Sequence, residues 1–139
     1  MLPTIERATF VIFTFGGHRF AAYVEAVERV LRVAQSHVGT GTVRHAGLDV
    51  PVVSLGPALA VTPSRSATSR MLVIVAGTHW VAVEVDAVHE VAAIDATTVQ
   101  SLESDGSRSY VPTGARGVFR RAAHDVLVLD IARIVDAAL

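Results

Sequence analysis

The chain contains no cysteine. That excludes disulfides, thiolate metal sites and cysteine nucleophiles, and it fits a reducing compartment. Aromatic residues make up only 6% of the sequence, so any core must be built largely from Val and Ala. An excess of either charge is also missing. Twelve Lys+Arg face thirteen Asp+Glu for a net charge of −1, and no basic run exceeds the pair Arg120-Arg121. Such a balance predicts no electrostatic attraction to nucleic acid or to an anionic membrane. No uninterrupted apolar run approaches the ~18–20 residues needed to span a bilayer. The opening Met-Leu-Pro-Thr-Ile-Glu-Arg offers neither a basic n-region nor an apolar h-region, so no signal peptide is expected. A cytoplasmic protein without direct membrane insertion is the expectation. What is abundant is apolar residue: 51% of 139 positions, enough for one domain or for two small lobes sharing an interface.

The most informative stretch runs from Trp80 to Glu90. Val81, Val83 and Val85 fall on one face at period two, with Ala82, Glu84 and Asp86 on the other, which predicts a strand with one buried and one wet side. The spacing of Ala87, Val88 and Val91 then predicts a helical turn. An earlier copy precedes it. A shift of 61 residues lays Gly16 on Gly77, His18 on His79, Val24 on Val85, Ala26 on Ala87, Val27 on Val88 and Val30 on Val91, and seven of the 22 positions in 10–31 are identical to their mates. We read one unit built twice: strand, glycine turn, strand, helical turn.

Read in order, residues 9–15 form a β-branched and aromatic strand, Gly16-Gly17 a hairpin turn, and His18 to Val24 the return strand. Glu25 to Val33 are expected to be helical. Residues 36–47 read as a loop with one brief strand. Asp49 to Leu55 read as a strand whose Pro51 argues for an edge or first position, because proline cannot donate to a ladder. Gly56 to Val61 suit one helical turn. The connector Thr62 to Ser69 has no large apolar side chain and falls between the two copies. Arg70 to Ala76 and the Trp80 stretch follow, then a polar loop over 97–110, strands over 117–121 and 126–131, and a closing helix with Ile131, Ile134, Val135 and Leu139 on one side. Val126-Leu-Val-Leu-Asp-Ile resembles Val50-Pro-Val-Val-Ser-Leu, so each half ends on the same kind of strand. The division is a first unit over about 8–61, a connector over 62–69, a second unit over about 70–121, and a closing strand and helix over 126–139. The fold class is mainly all-β, as two small antiparallel barrels side by side.

Chemistry is hard to find. The histidines at 18, 37, 45, 79, 89 and 124 lack the i, i+2 or i, i+4 pattern of a local metal site. His18 and His79 read as repeated turn residues. No Gly-x-Ser-x-Gly elbow is present. Gly39-Thr-Gly41 is followed by no Gly-Lys-Ser/Thr. The carboxylates Glu84, Asp86 and Glu90 read as solubilising side chains. No catalytic residue, metal site or cofactor is expected, and the pattern favours a binding module.

The repeat and its flanks resemble the CheW family, the coupling scaffolds of bacterial chemotaxis-like signalling, whose domain also forms the regulatory C-terminus of CheA histidine kinases. The motifs that carry the resemblance are Pro51-Val-Val-Ser-Leu55, Val85-Asp-Ala-Val-His-Glu-Val91, Gly117 and Leu129-Asp-Ile131, in that order, over about residues 8–136. The resemblance implies two SH3-like five-stranded barrels, no enzymatic activity and no cofactor. It also implies two partners, the regulatory domain of a CheA-type kinase and the cytoplasmic tip of a chemoreceptor docked near the cleft between the barrels. Weak self-association through an exposed edge such as Val50 to Leu55 is compatible with it. The alternative reading is a small-molecule-sensing barrel that uses the same cleft.

By the same resemblance the partner-binding positions are Val27, Arg29, Val30, Gly41, Arg44, Ala46, Gly47, Val52 and Gly117. Several depart from the family pattern. Arg29 stands where a glutamate is usual, Arg44 replaces an asparagine, Ala46 an arginine, and Ser54 an aspartate. The connector between these motifs is several residues short. A swapped charge and a lost arginine change which partner surface can pair there, so a divergent or accessory coupling protein is the expectation.

Overall fold

A computed structural model describes residues 6–33, 41–64, 66–102, 110–112 and 114–139. Expectations that fall on 34–40, 65, 103–109 and 113, including His37 and most of the Gly39-Thr-Gly41 run, lie outside the described residues. The strands are β1 (Arg7–Phe15), β2 (His18–Tyr23), β3 (Val27–Arg32), β4 (Thr42–His45), β5 (Leu48–Val53), β6 (Arg70–Ala76), β7 (His79–Val85), β8 (Ala87–Asp95), β9 (Gln100–Ser101), β10 (Ala115–Arg121) and β11 (His124–Leu129). Helix α1 covers Gly56–Leu59 and α2 covers Ile131–Ala138. Asp130 caps α2 by accepting from the Arg133 N–H at 3.4 Å, and Ser54 Oγ accepts from Gly56 N–H at 3.1 Å at the matching place before α1.

Two sheets result. A six-stranded sheet runs β8-β1-β2-β11-β10-β9, and a five-stranded sheet runs β3-β6-β7-β5-β4. Both expected helical turns are corrected. Residues 87–91 belong to strand β8, and of 25–33 only Glu25 and Ala26 turn, within a single 3-10 step, Val24–Ala26, before β3. These third strands also cross over. β8 of the second unit pairs with β1 of the first, while β3 of the first pairs with β6 of the second. A sheet and a sequence repeat are therefore not the same set of residues. The expectation of purely antiparallel barrels is corrected as well: β11 runs parallel to β2, and β5 parallel to β7. The two parallel registers are equivalent. Val128 faces Ala21 and Val52 faces Ala82, 61 residues on from Ala21, as the likeness of the two closing strands implied.

Alternation along the strands feeds three cores rather than one. Phe10, Ile12, Ala21, Ala92, Ile94, Phe119, Val126 and Val128 fill the inside of the six-stranded sheet. Val43, Val50, Met71, Val73 and Ala82 fill the five-stranded one. Phe13, Phe15, Phe20, Leu72, Ile74, Val81, Val83, Val85, Leu127 and Leu129 pack between the sheets with Leu59 of α1 and Ile131, Ile134 and Val135 of α2. Leu139, expected on the buried side of that helix, is 58% exposed. Strand β7 consequently has no wet face. Ala82 is fully buried in the five-stranded core, and Asp86 is buried too, against the β1–β2 hairpin and the connector. Pro51 is not at an edge either, since β5 lies between β4 and β7. Val52 N–H donates to Gly41 O at 2.9 Å on the β4 side. Alternation turns the Pro51 nitrogen the other way, where the β7 ladder begins only at Val52, so no bond is lost.

Asp86 is tied down rather than solvated. Its carboxylate accepts from Gly16 N–H at 2.8 Å and from Ser64 N–H at 2.9 Å, its carbonyl accepts from Thr68 Oγ1 at 2.9 Å, and its own N–H donates to Thr14 O at 2.9 Å. The bend between β7 and β8, the β1–β2 hairpin and the connector meet on this one residue. Gly16 has φ +58°, and a Cβ there would lie 2.6 Å from Val61, so the hairpin can approach the connector only as glycine. Asp86→Ala leaves two backbone donors without their charged acceptor. Unfolding in urea should show a loss of about 3 kcal/mol at unchanged m-value, and an effect under ~1 kcal/mol would remove Asp86 from this role.

Candidate functional site

Eight of the nine positions marked for partner binding lie on or beside the five-stranded sheet. Val27, Arg29 and Val30 are on its edge strand β3. Gly41 and Arg44 lead into and along β4 at the other edge, Ala46 and Gly47 make the β4–β5 turn, and Val52 is on β5. The ninth, Gly117, is on β10 of the other sheet. It is buried, and a Cβ there would fall 2.9 Å from Gln100 O and Val99 Cγ1, so packing alone accounts for glycine.

The two edges of the five-stranded sheet approach each other. His45 of β4 places Nε2 3.7 Å from Glu28 Oε1 of β3, and its side chain is only 8% exposed. The imidazole lies 4.7 Å, centroid to centroid, from Trp80 of β7. The sheet thus curls into a barrel with an end that can be read residue by residue. Arg29, His45, Leu48, Val75 and Trp80 each stand two positions beyond a core residue of their strand, namely Leu31, Val43, Val50, Val73 and Ala82. Glu28 is the extra residue of the β-bulge where β3 shifts register against β6. This mouth is partly open and half apolar: Leu48 is 58% exposed and Trp80 half-buried, with Val75 beside Arg29, His45 and Glu28. A surface pocket of about 490 Å³ beside it is lined by Leu48, Asp49, Val50, Pro51, Thr78, His79 and Trp80. Leu48 and Trp80 were not marked from the sequence. The signal that finds them is their register beyond the core, visible only once strands are paired.

Charge around this mouth is sparse. Arg44 pairs with Asp49 at 3.0 Å, both two-thirds exposed, a geometry worth little to stability. Ala46, where the resemblance expects arginine, has φ +50°, next to Gly47 at +77°. Two positive φ values in a two-residue hairpin loop define a turn that prefers Asn-Gly. A side chain longer than Ala at 46 would leave the barrel end pointing outward.

A second concavity, of about 510 Å³, lies between α1, the start of β10 and α2. Its apolar floor includes Pro57, Ala58, Ala115 and Ile134, and Arg116 and Arg133 flank it. Arg116 is held by Asp130 at 3.6 Å. Among the described residues no group of His, Asp and Glu side chains could hold a metal ion, and no helix is long and apolar enough to cross a membrane.

The six-stranded sheet closes in the same manner, with different chemistry. Arg121 of β10 and Glu90 of β8 form a two-point ion pair, Nε to Oε1 and Nη2 to Oε2. The hydrogen-bonded Arg121 guanidinium holds the Glu90 carboxyl below the usual carboxylate range, and the carboxylate in turn holds Arg121 above its ordinary value.

The described geometry agrees with comparison to known proteins. A family model, the CheW-like domain, matches residues 9–139. Among solved structures, the chain is similar to the scaffolding protein TtCheW from Thermoanaerobacter tengcongensis, with a TM-score of 0.76 at 17% identity, covering 96% of this chain and 89% of that one. No curated protein matches in sequence.

Two outcomes follow from these sites. Ala46→Asn should raise stability by about 0.5–1 kcal/mol, because asparagine tolerates the left-handed region better than alanine; a thermal unfolding midpoint that falls would contradict the turn assignment. Glu90 should titrate below the ~4.3 of a free glutamate when followed by NMR, and Arg121→Gln should raise it toward that value. Because the folded value is the depressed one, the pair's contribution is present above the unfolded pKa and is lost as pH falls through the folded one.

Proposed function

The chain belongs to the CheW-like domain family, and from that premise we propose that it is a non-enzymatic adaptor that couples a CheA-type histidine kinase to chemoreceptors in a chemotaxis-like array. The observation that carries the reading is the half-apolar mouth of the five-stranded barrel. An exposed Leu48 and a half-buried Trp80 at one barrel end form an anchor of the kind that fills a pocket on a partner. The kinase's regulatory domain is assigned to this end. The receptor's helical tip is assigned to the groove between α1 and α2, whose apolar floor suits one face of a helix and whose flanking Arg116 and Arg133 suit acidic residues beside that face.

The departures from the family pattern lie at the same mouth. Arg29 occupies the ring position next to the bulged Glu28, and Ala46 caps the hairpin that carries Leu48. A partner with the usual charges meets a repulsive contact at Arg29. We therefore assign this chain a partner with a matching acidic group and a tolerant apolar pocket, as an accessory member of such a system. The alternative, a small-molecule sensor, would use the α1–α2 groove.

The test is a titration of the purified chain against the kinase regulatory domain and a receptor-tip fragment from the same cell. Leu48→Asp should weaken kinase-domain binding about tenfold or more and leave receptor-tip binding in place. Arg29→Glu combined with Ala46→Arg should shift preference toward a kinase domain of standard charge pattern. If neither fragment binds the wild type at high micromolar concentration, the adaptor reading fails.

A further inference from the structure

The end of the six-stranded barrel is built in the same register as the half-apolar mouth, but every one of its side chains is polar and its charges do not cancel. Thr14, Glu90, Arg19, His124 and Arg121 each stand two positions beyond a core residue, respectively Ile12, Ala92, Ala21, Val126 and Phe119. The strand directions bring all five to one end. β1 runs toward it and β2 away. β11 lies parallel to β2, β10 antiparallel to β11, and β8 antiparallel to β1. The register shift between β1 and β8 makes His89 the bulged residue, and its Nε2 meets Thr14 Oγ1. The ring closes through Arg121 and Glu90.

The fold does not require this polarity. The same six places in the twin barrel hold three apolar side chains, Val75, Trp80 and Leu48, with Arg29, His45 and Glu28, whose Arg and Glu charges cancel, and that barrel forms equally well. Nor do the charges neutralise one another. Glu90, the single carboxylate of the ring, is taken up at both oxygens by Arg121. Arg19, half-buried beside it, makes no hydrogen bond or ion pair among the described residues. Burial disfavours His89 as a cation, the Arg19 guanidinium and His124 add to that, and Glu90 opposes them. The ring carries one net positive charge with both imidazoles neutral and three with both protonated.

We infer that this barrel end binds a small oxyanion of the phosphate or phosphate-monoester class, with Arg19 as the principal ligand and His124 and His89 as donors beside it. A guanidinium offers a planar fork to two oxyanion oxygens, and imidazole N–H groups add donors. Arg121 stays with Glu90 and keeps the ring closed. Occupation satisfies the unpaired Arg19 and removes the like-charge crowding. This site is separate from the half-apolar mouth and does not depend on the adaptor reading.

The experiment is an NMR titration of the isotope-labelled chain with inorganic phosphate, and separately with sulfate, at ionic strength held constant with chloride. The expected result is saturable shifts at residues 14–19, 89–90 and 121–124, with the half-apolar mouth at 45–48 and 75–80 unmoved. Arg19→Gln should weaken binding about tenfold, and so should His124→Leu, a change the twin barrel already accommodates as Leu48. Arg133→Gln, on α2, should leave it unchanged. Shifts that stay linear, that appear equally at both barrel ends, or that persist in Arg19→Gln would overturn the site.

Discussion

The fold depends on where Asp86 puts its hydrogen bonds. One carboxylate accepts from the β1–β2 hairpin at Gly16 and from the connector at Ser64, while the same residue's backbone bonds Thr14 and Thr68. A buried carboxylate is costly unless its oxygens are met by donors. Here the donors come from the first repeat and the connector while the carboxylate belongs to the second repeat, so the cost is offset only when the segments are together. That makes Asp86 a specifying contact. It fixes the bend that turns β7 into β8, and the bend sends β8 across to β1 rather than back onto its own hairpin. The complementary crossing of β3 onto β6 then follows from the same architecture.

The crossing explains what could be read from the sequence and what could not. Hairpins were legible because each has apolar alternation interrupted by glycine, and β1, β2, β6 and β7 fall where period two places them. The closing strands were legible as a pair because β5 and β11 keep one register against equivalent neighbours. The third strands were misread as helical for a physical reason. Val27 packs in the core between the sheets and Leu31 against the core of the five-stranded one. Likewise Val88 packs between the sheets while Ala92 lies inside the six-stranded barrel. Each strand passes a bulge while changing cores. The bulge adds one residue and the apolar spacing becomes i, i+4, which copies a helix. Pro51 and the supposed wet face of β7 failed for a related reason: a strand between two cores has no solvent side, and alternation then reports which core, not whether it is buried.

For the site, resemblance placed eight of nine positions on one sheet but omitted the two side chains that shape its open end, Leu48 and Trp80. Single-chain pattern could not supply them. Leu48 sits in a glycine-rich hairpin and Trp80 begins a strand, so neither position is marked by periodicity. Leu48 faces His45 across the β4–β5 hairpin, whereas Trp80 reaches His45, and His45 reaches Glu28, only through closure of the sheet. The fold match at 17% identity carries the architecture and leaves such surface choices to this chain.

The duplicated design separates the demands of folding from those of function. Between the halves, positions facing the central core stay apolar: Phe20 and Val81, Ala22 and Val83, Phe13 and Ile74, Phe15 and Ala76 are all buried. Size varies there, but polarity does not, because a charge between the sheets would have no partner. At the barrel ends the constraint lifts. Arg19 answers Trp80, His124 answers Leu48, Thr14 answers Val75 and Glu90 answers Arg29 in the same registers. Only a closing contact between third strand and hairpin is kept, and even that changes from Arg121–Glu90 to His45–Glu28. If folding alone set these positions, both ends would hold the same class of side chain, since both close the same barrel. Their divergence, one end half apolar with cancelling charges and the other cationic, is therefore a difference in what each end meets.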